Sequence, residues 1–153
     1  SNKAKLKNKD ELFFIDKYYK PELPLNLTKY LLKFANSSID VSDGLIDDLA
    51  KMINRQSLSF HLFENKIPVS NKLSNLIKKQ RLNKINLISN GDDYQVLFTA
   101  DIRKARIIQK ASKATGIKIT KIGKIVSGKD RSLIFDEKGK QIRAKSKGYI
   151  HRF

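Results

Sequence analysis

The chain contains no cysteine, which excludes disulfides, zinc ribbons and thiol catalysis. Acidic residues are scarce, with 15 Asp and Glu against 32 Lys and Arg, for a formal charge of +17. No apolar run approaches the roughly 20 residues of a membrane span. The lysine-rich start, Ser1 to Lys9, is not followed by the apolar core of a signal peptide. No Walker-type phosphate loop, paired zinc histidines or nucleophile elbow is present. Internal repeats are absent, and the only biased tract is the lysine-rich lead.

A charge of this size admits two explanations. One is a nucleic-acid-binding module. The other is a general lysine bias, since Lys, Ile and Asn are all abundant. The cations are mostly lysine and run from end to end, without the basic stripe and interleaved aromatics of a stacking platform. Nucleic acid is therefore not the expected partner, although the positive field attracts anionic metabolites.

The 153 residues suffice for one domain with a real core, a size that buries about 68–70% of its unfolded surface. The first residue is not Met, so a piece of a longer cytoplasmic protein is expected. Residues 1–24 read as a charged lead and extended linker from a missing N-terminal domain, and 25–153 as a C-terminal α+β domain. Helices are predicted over 26–36, from Leu27, Tyr30, Leu31 and Phe34, and after Ser42, from Leu45, Ile46, Leu49, Met52 and Ile53. Two more are expected over 71–82, led in by Pro68 and Ser70, and from Asp101 to about 115, closed by Gly116. Strands are predicted at Ile39 and Val41, at Leu58, Phe60 and Leu62, at 85–89 and 93–100, at Ile117 and Ile119 continuing to Ile125, and at Leu133 to Phe135. Helices and strands mix without strict alternation, which points to α+β with a mixed sheet.

Two acidic clusters stand out from this basic background. In Asp40-Val41-Ser42-Asp43-Gly44, a strand places Asp40 and Ser42 on one side. Asp43 falls in a first helical turn, at the positive end of the helix dipole. Gly44 permits close backbone approach by a ligand. Hard oxygen donors from one or two carboxylates suit a magnesium ion carrying phosphate. As a bare pattern the same residues also make a plain N-cap, with Asp47 and Asp48 on the surface.

The second cluster, Asn90-Gly91-Asp92-Asp93-Tyr94, reads either as an ordinary loop or as a turn presenting a carboxylate to a ligand amine. Tyr149 and Phe153 either stack on a heterocycle or pack on the core. His61 and His151 have no nucleophile near them in sequence and read as structural.

Taken in order, Ser38 to Leu45, Lys66 to Ser70, Ile88 to Thr99, Ile122 to Ile125, and Gly148-Tyr149 with His151 resemble the C-terminal half of bacterial thiamine-monophosphate kinase. That family is grouped with aminoimidazole-ribonucleotide synthetase and selenophosphate synthetase. The resemblance runs from about residue 20 to the end. It implies the α+β C-terminal domain of the aminoimidazole-ribonucleotide synthetase-like superfamily, a mixed sheet covered by helices. It also implies transfer of the γ-phosphate of ATP to thiamine monophosphate, giving thiamine diphosphate.

By the same resemblance Asp40 and Asp43 bind Mg2+, Ser42 touches the nucleotide, Asp92 contacts the aminopyrimidine of the substrate, and Tyr149 lies against that substrate. No side chain is assigned as catalytic. The acceptor phosphomonoester, with a second pKa near 6, is already largely dianionic at neutral pH and needs no general base. Asn90, Gly91 and Asp92 depart from the family's two glycines and glutamate, Gln95 replaces a glutamate, and an extra residue before Phe153 breaks that correspondence. The family's N-terminal domain, with most metal-binding aspartates, the nucleotide pocket and the dimer interface, is expected to be missing. This piece is then expected to fold but to show little activity alone, within a homodimeric whole. The alternatives are a related enzyme with another acceptor and a basic nucleic-acid-binding module.

Overall fold

A computed structural model of the chain describes residues 8–53, 56–89 and 95–143, with side chains from Asp10 onward. Six helices and six strands follow one another among them: α1 (Asn8–Tyr19), α2 (Thr28–Phe34), β1 (Ala35–Asp40), α3 (Leu45–Ile53), β2 (Leu58–Phe63), α4 (Asn71–Gln80), α5 (Lys84–Ile88), β3 (Val96–Ala100), α6 (Ala105–Thr115), β4 (Gly123–Ser127), β5 (Leu133–Phe135) and β6 (Gln141–Ile142). None of the described helices is long and apolar enough to cross a membrane.

The strands form two units. β2 lies between β4, to which it runs antiparallel, and β5, to which it runs parallel, and β6 completes the order β4-β2-β5-β6. β1 and β3 make a separate antiparallel ribbon. The class is therefore α+β with a mixed sheet, as the intermixed pattern predicts. The ribbon separates two apolar clusters. Leu97 packs against the larger one, built from Leu45, Leu49, Ile53, Phe60, Leu62, Ile85, Ile88 and Ile134. Its neighbour Phe98 points the other way, as the two-residue repeat of a strand requires, and meets Phe34 and Leu27 beneath α6.

Local chemistry accounts for the helix boundaries. Ser70 accepts a hydrogen bond from Leu73 N at 3.1 Å and starts α4. Asp101 accepts from Arg103 N at 2.8 Å and opens the short 3-10 turn that leads into α6. Gly116, at φ +69°, takes the left-handed conformation that closes α6. In α3 the buried positions Leu45, Leu49 and Ile53 recur every four residues and make one stripe facing the sheet.

Four sequence expectations are corrected. Residues 8–19, read as lead and linker, are helical, with Tyr18 and Tyr19 in the last turn of α1. The helix predicted over 26–36 is a 3-10 turn at Leu25–Leu27 followed by α2, and its last predicted residues already belong to β1. Residues 85–89 are not a strand: Asn83 accepts from Asn86 N at 3.0 Å and caps α5. Ile117 and Ile119 precede β4 without pairing into it, and their side chains fill the smaller cluster. The ring of His61 is set edge-on to Phe135, with centroids 5.5 Å apart.

Candidate functional site

Antiparallel pairing sets Asp40 opposite Val96, and one step further Val41 N donates to Gln95 O at 2.8 Å. The loop after β1 then turns across the end of α5. Gly44 sits at φ +122°, and a Cβ built there would lie 2.4 Å from the carbonyl oxygen of Ser89. Only a residue without a Cβ fits that approach. The backbone neighbour of Gly44 is therefore Ser89, where the sequence reading placed a ligand. The same loop thus meets both flanks of the second acidic cluster, Ser89 on one side and Gln95 on the other.

One side chain holds the loop closed. Asp48, on the first turn of α3, accepts through Oδ2 from the backbone N–H of Ser42 at 2.9 Å, Asp43 at 2.9 Å and Gly44 at 3.2 Å. Three successive amides converging on one oxygen form an anion-binding nest, and here the nest is filled from within the chain. Asp48 is 1% exposed, so its placement on the surface is corrected. Its other oxygen, Oδ1, accepts from Lys51 Nζ at 2.9 Å, one helical turn on. Lys51 Nζ also bonds Oδ2 of Asp43. Burial pushes the Asp48 carboxyl up, but Lys51 and the amides of Asp43 and Ser42 outweigh it and hold the group below the usual aspartate range. Hydrogen bonds to Asp43 and Asp48 push the Lys51 ammonium up.

Asp40, Ser42 and Asp43 are thus gathered at one short turn. Asp40 is exposed at the strand end and makes no ion pair among the described residues. Asp92, Tyr149, His151 and Phe153 lie outside the described residues. Sequence reading missed Asp48 and Lys51. The signal was present: an aspartate four residues after the turn glycine reaches back over its own helix N-terminus, and a lysine three residues later shares its face.

The described residues do not, as built, make up a metal site. They contain no group of three or more His, Cys, Asp or Glu disposed to hold an ion. Asp43 is engaged by Lys51, and Asp48 by three amides and Lys51. An apolar cavity of about 1360 Å³ between the ribbon and the mixed sheet reaches the inner wall of the site at Val41, Leu45, Ile88 and Gln95. A smaller cavity of about 550 Å³, between Glu64, Arg81, Lys84 and Glu137, contains none of the candidate residues.

No family model matches the chain. Individual proteins do. Thiamine-monophosphate kinase of Buchnera aphidicola subsp. Acyrthosiphon pisum is 34% identical over 143 residues, covering 91% of this chain and 42% of that protein. The crystal structure of thiamine-monophosphate kinase from Stenotrophomonas maltophilia superposes with a TM-score of 0.72 at 25% identity, over 92% of this chain and 42% of the other. AaThiL complexed with AMPPCP and TMP gives a TM-score of 0.69 at 28% identity, over 97% and 44%. The chain spans about two-fifths of the length of the curated relatives it matches. In sequence and in fold, then, nearly the whole of this chain is similar to part of thiamine-monophosphate kinases.

Proposed function

We propose that this chain is the C-terminal half of a cytoplasmic, homodimeric thiamine-monophosphate kinase that uses ATP and Mg2+ to convert thiamine monophosphate into thiamine diphosphate. The observation that carries this reading is that the Asp40–Gly44 turn meets the two residues flanking the second motif, through Val41 with Gln95 and Gly44 with Ser89. That turn and those flanks border an apolar cavity. Kinship with proteins of that name, one of them complexed with AMPPCP and TMP, supports the same conclusion.

In this reading Asp40 and Asp43 are the carboxylates given to magnesium, Ser42 faces the nucleotide, and Asp92 and Tyr149 face thiamine monophosphate. Residues 1–24 join the domain, residues 25–153, to an N-terminal domain that completes the site. An acceptor phosphate that is already dianionic brings its own nucleophilic oxygen. The task left to the protein is to position two polyanions and offset their repulsion. That task fits the carboxylates Asp40 and Asp43 gathered at one turn.

The test is formation of thiamine diphosphate from ATP and thiamine monophosphate by the whole gene product, beside the isolated 153-residue chain. The whole product is expected to turn over and the isolated chain to show little or no activity. Whole-product activity on an aminoimidazole precursor, with none on thiamine monophosphate, would reassign the acceptor. Robust turnover by the isolated chain would remove the need for a second domain.

A further inference from the structure

We propose that the cavity of about 550 Å³ beside α4 is a binding site for a small phosphomonoester, held through Arg81 and Lys84. Three elements enclose it: the second half of α4, the start of α5 and the 3-10 turn Glu64–Lys66 that follows β2. Its volume falls within the roughly 300 to 1000 Å³ usual for small-molecule sites. It contains none of the residues of the acidic turn.

Two independent features separate this cavity from an ordinary surface hollow. The first is the half-buried Lys84 ammonium, fixed by the carbonyl oxygens of Glu64 at 2.8 Å and Ile67 at 2.6 Å. An ammonium group has three donors. The third has no acceptor among the described residues. Both bonds end on neutral carbonyls, so the positive charge is held in place without a carboxylate in contact. Burial lowers the pKa of the group, against the pull of the Glu64 charge, as expected of a cation short of compensating charge.

The second is Arg81, which closes α4 in the left-handed conformation at φ +52°. The same task at the end of α6 falls to Gly116, at φ +69°, the residue type that takes this conformation without strain. An arginine there runs against backbone preference, and an outlier of this kind points to a use for its side chain. Arg81 lines the cavity and has no ion pair among the described residues. Lys78 also lines it but needs no such account, since a basic residue in the last turn of α4 suits the helix dipole.

A phosphomonoester matches this arrangement. It is largely dianionic at neutral pH, opposite two placed cations. The planar fork of an arginine bonds two phosphate oxygens at once, and a lysine adds a point charge. Glu64 and Glu137 share the lining, but the cations outnumber them three to two. Val69, Ile77 and Leu82 supply an apolar wall for the body of the ester.

The site stands apart from the kinase reading, and turnover plays no part in its test. Phenyl phosphate and inorganic phosphate serve as probes in calorimetric titrations of the full chain. Phenyl phosphate is expected to bind at least about threefold more tightly than inorganic phosphate, because its ring reaches the apolar wall. Arg81→Gly is expected to weaken phenyl phosphate by about tenfold or more, the scale of a charge-assisted hydrogen bond. The same variant is expected to melt at a higher temperature, because the backbone strain is gone. Lys84→Met is expected to weaken binding by a similar factor. Lys113→Met removes an exposed positive charge on α6, outside the cavity, and is expected to keep affinity within about twofold, since screened charges contribute little at a distance. Equal affinity for the two probes, or unchanged binding in Arg81→Gly or Lys84→Met, overturns the proposal. So does an equal loss in Lys113→Met, which would reveal general charge attraction only. A lower melting temperature for Arg81→Gly overturns it too, because the arginine would then serve the helix.

Discussion

Gly44 and Ser89 touch backbone to backbone: a methyl group on Gly44 would stand 2.4 Å from the Ser89 carbonyl oxygen. Gly44→Ala therefore meets both a collision with main chain and a φ of +122° that side chains resist. Backbone strain of this kind costs on the order of 1–3 kcal/mol before the collision is relieved. Urea unfolding should show a loss of at least about 2 kcal/mol. A loss near zero would mean that the loop can withdraw from α5 without consequence.

Asp48 should rank among the most sensitive positions in the domain. Asp48→Ala strips three backbone N–H groups of their acceptor and leaves Lys51 facing Asp43 alone. Breaking a buried charge pair from one side costs about 3–5 kcal/mol, and about 3 is expected here because Lys51 can turn to water. Asp48→Asn retains an oxygen for the amides and should cost roughly 1–3 kcal/mol, the worth of bonds to a charged acceptor. Thermal melts of the two variants should fall in that order.

Lys84 provides a pH signature. Its ammonium donates to the carbonyl oxygens of Glu64 at 2.8 Å and Ile67 at 2.6 Å. Burial pushes its pKa down, opposed by the charge of Glu64. A lysine that loses its proton more readily in the folded state binds fewer protons there than when unfolded, so its contribution to stability rises with pH between the two pKa values. The advantage of the unaltered protein over Lys84→Met should accordingly grow as pH approaches the ordinary lysine value of about 10.4. Chemical denaturation of both proteins at successive pH values measures it, and a gap that shrinks would contradict the sign.

Ser70→Ala tests whether α4 depends on its first residue. The hydroxyl oxygen accepts from Leu73 N at 3.1 Å. Loss of such a cap costs about 1 kcal/mol. Hydrogen exchange should quicken in the first turn of α4 and leave α6 unchanged.

Much of this arrangement was legible in the residues. α3 could be read from Leu45, Leu49 and Ile53, α4 from Ser70, and the end of α6 from Gly116, because period and cap agree at each. α5 was not, because Ile85 and Leu87 alternate as a strand would while Ile85 and Ile88 fit a helical turn. In so short an apolar run the cap Asn83 decides, and periodicity does not. α1 was hidden by two adjacent aromatics and following prolines that look like linker chemistry. The acidic turn was legible as a motif, and its closure was not. An aspartate on an early helical turn ordinarily faces water. Asp48 is buried because the turn four to six residues before it bends three amides onto it, a matter of backbone direction rather than composition.

The position of β2 has a consequence for assembly of the chain. Its residues bond partners far along the sequence, and Phe60 N reaches the hydroxyl of Ser132, 72 residues away. The strand at the heart of the sheet emerges during synthesis long before β4 and β5 exist to flank it. The backbone edges of β2 lack their strand partners through that interval, and pairings between distant segments form slowly. A ribosome stalled before residue 133 would hold a nascent chain whose central strand lacks its parallel neighbour, a natural point for a chaperone to intervene.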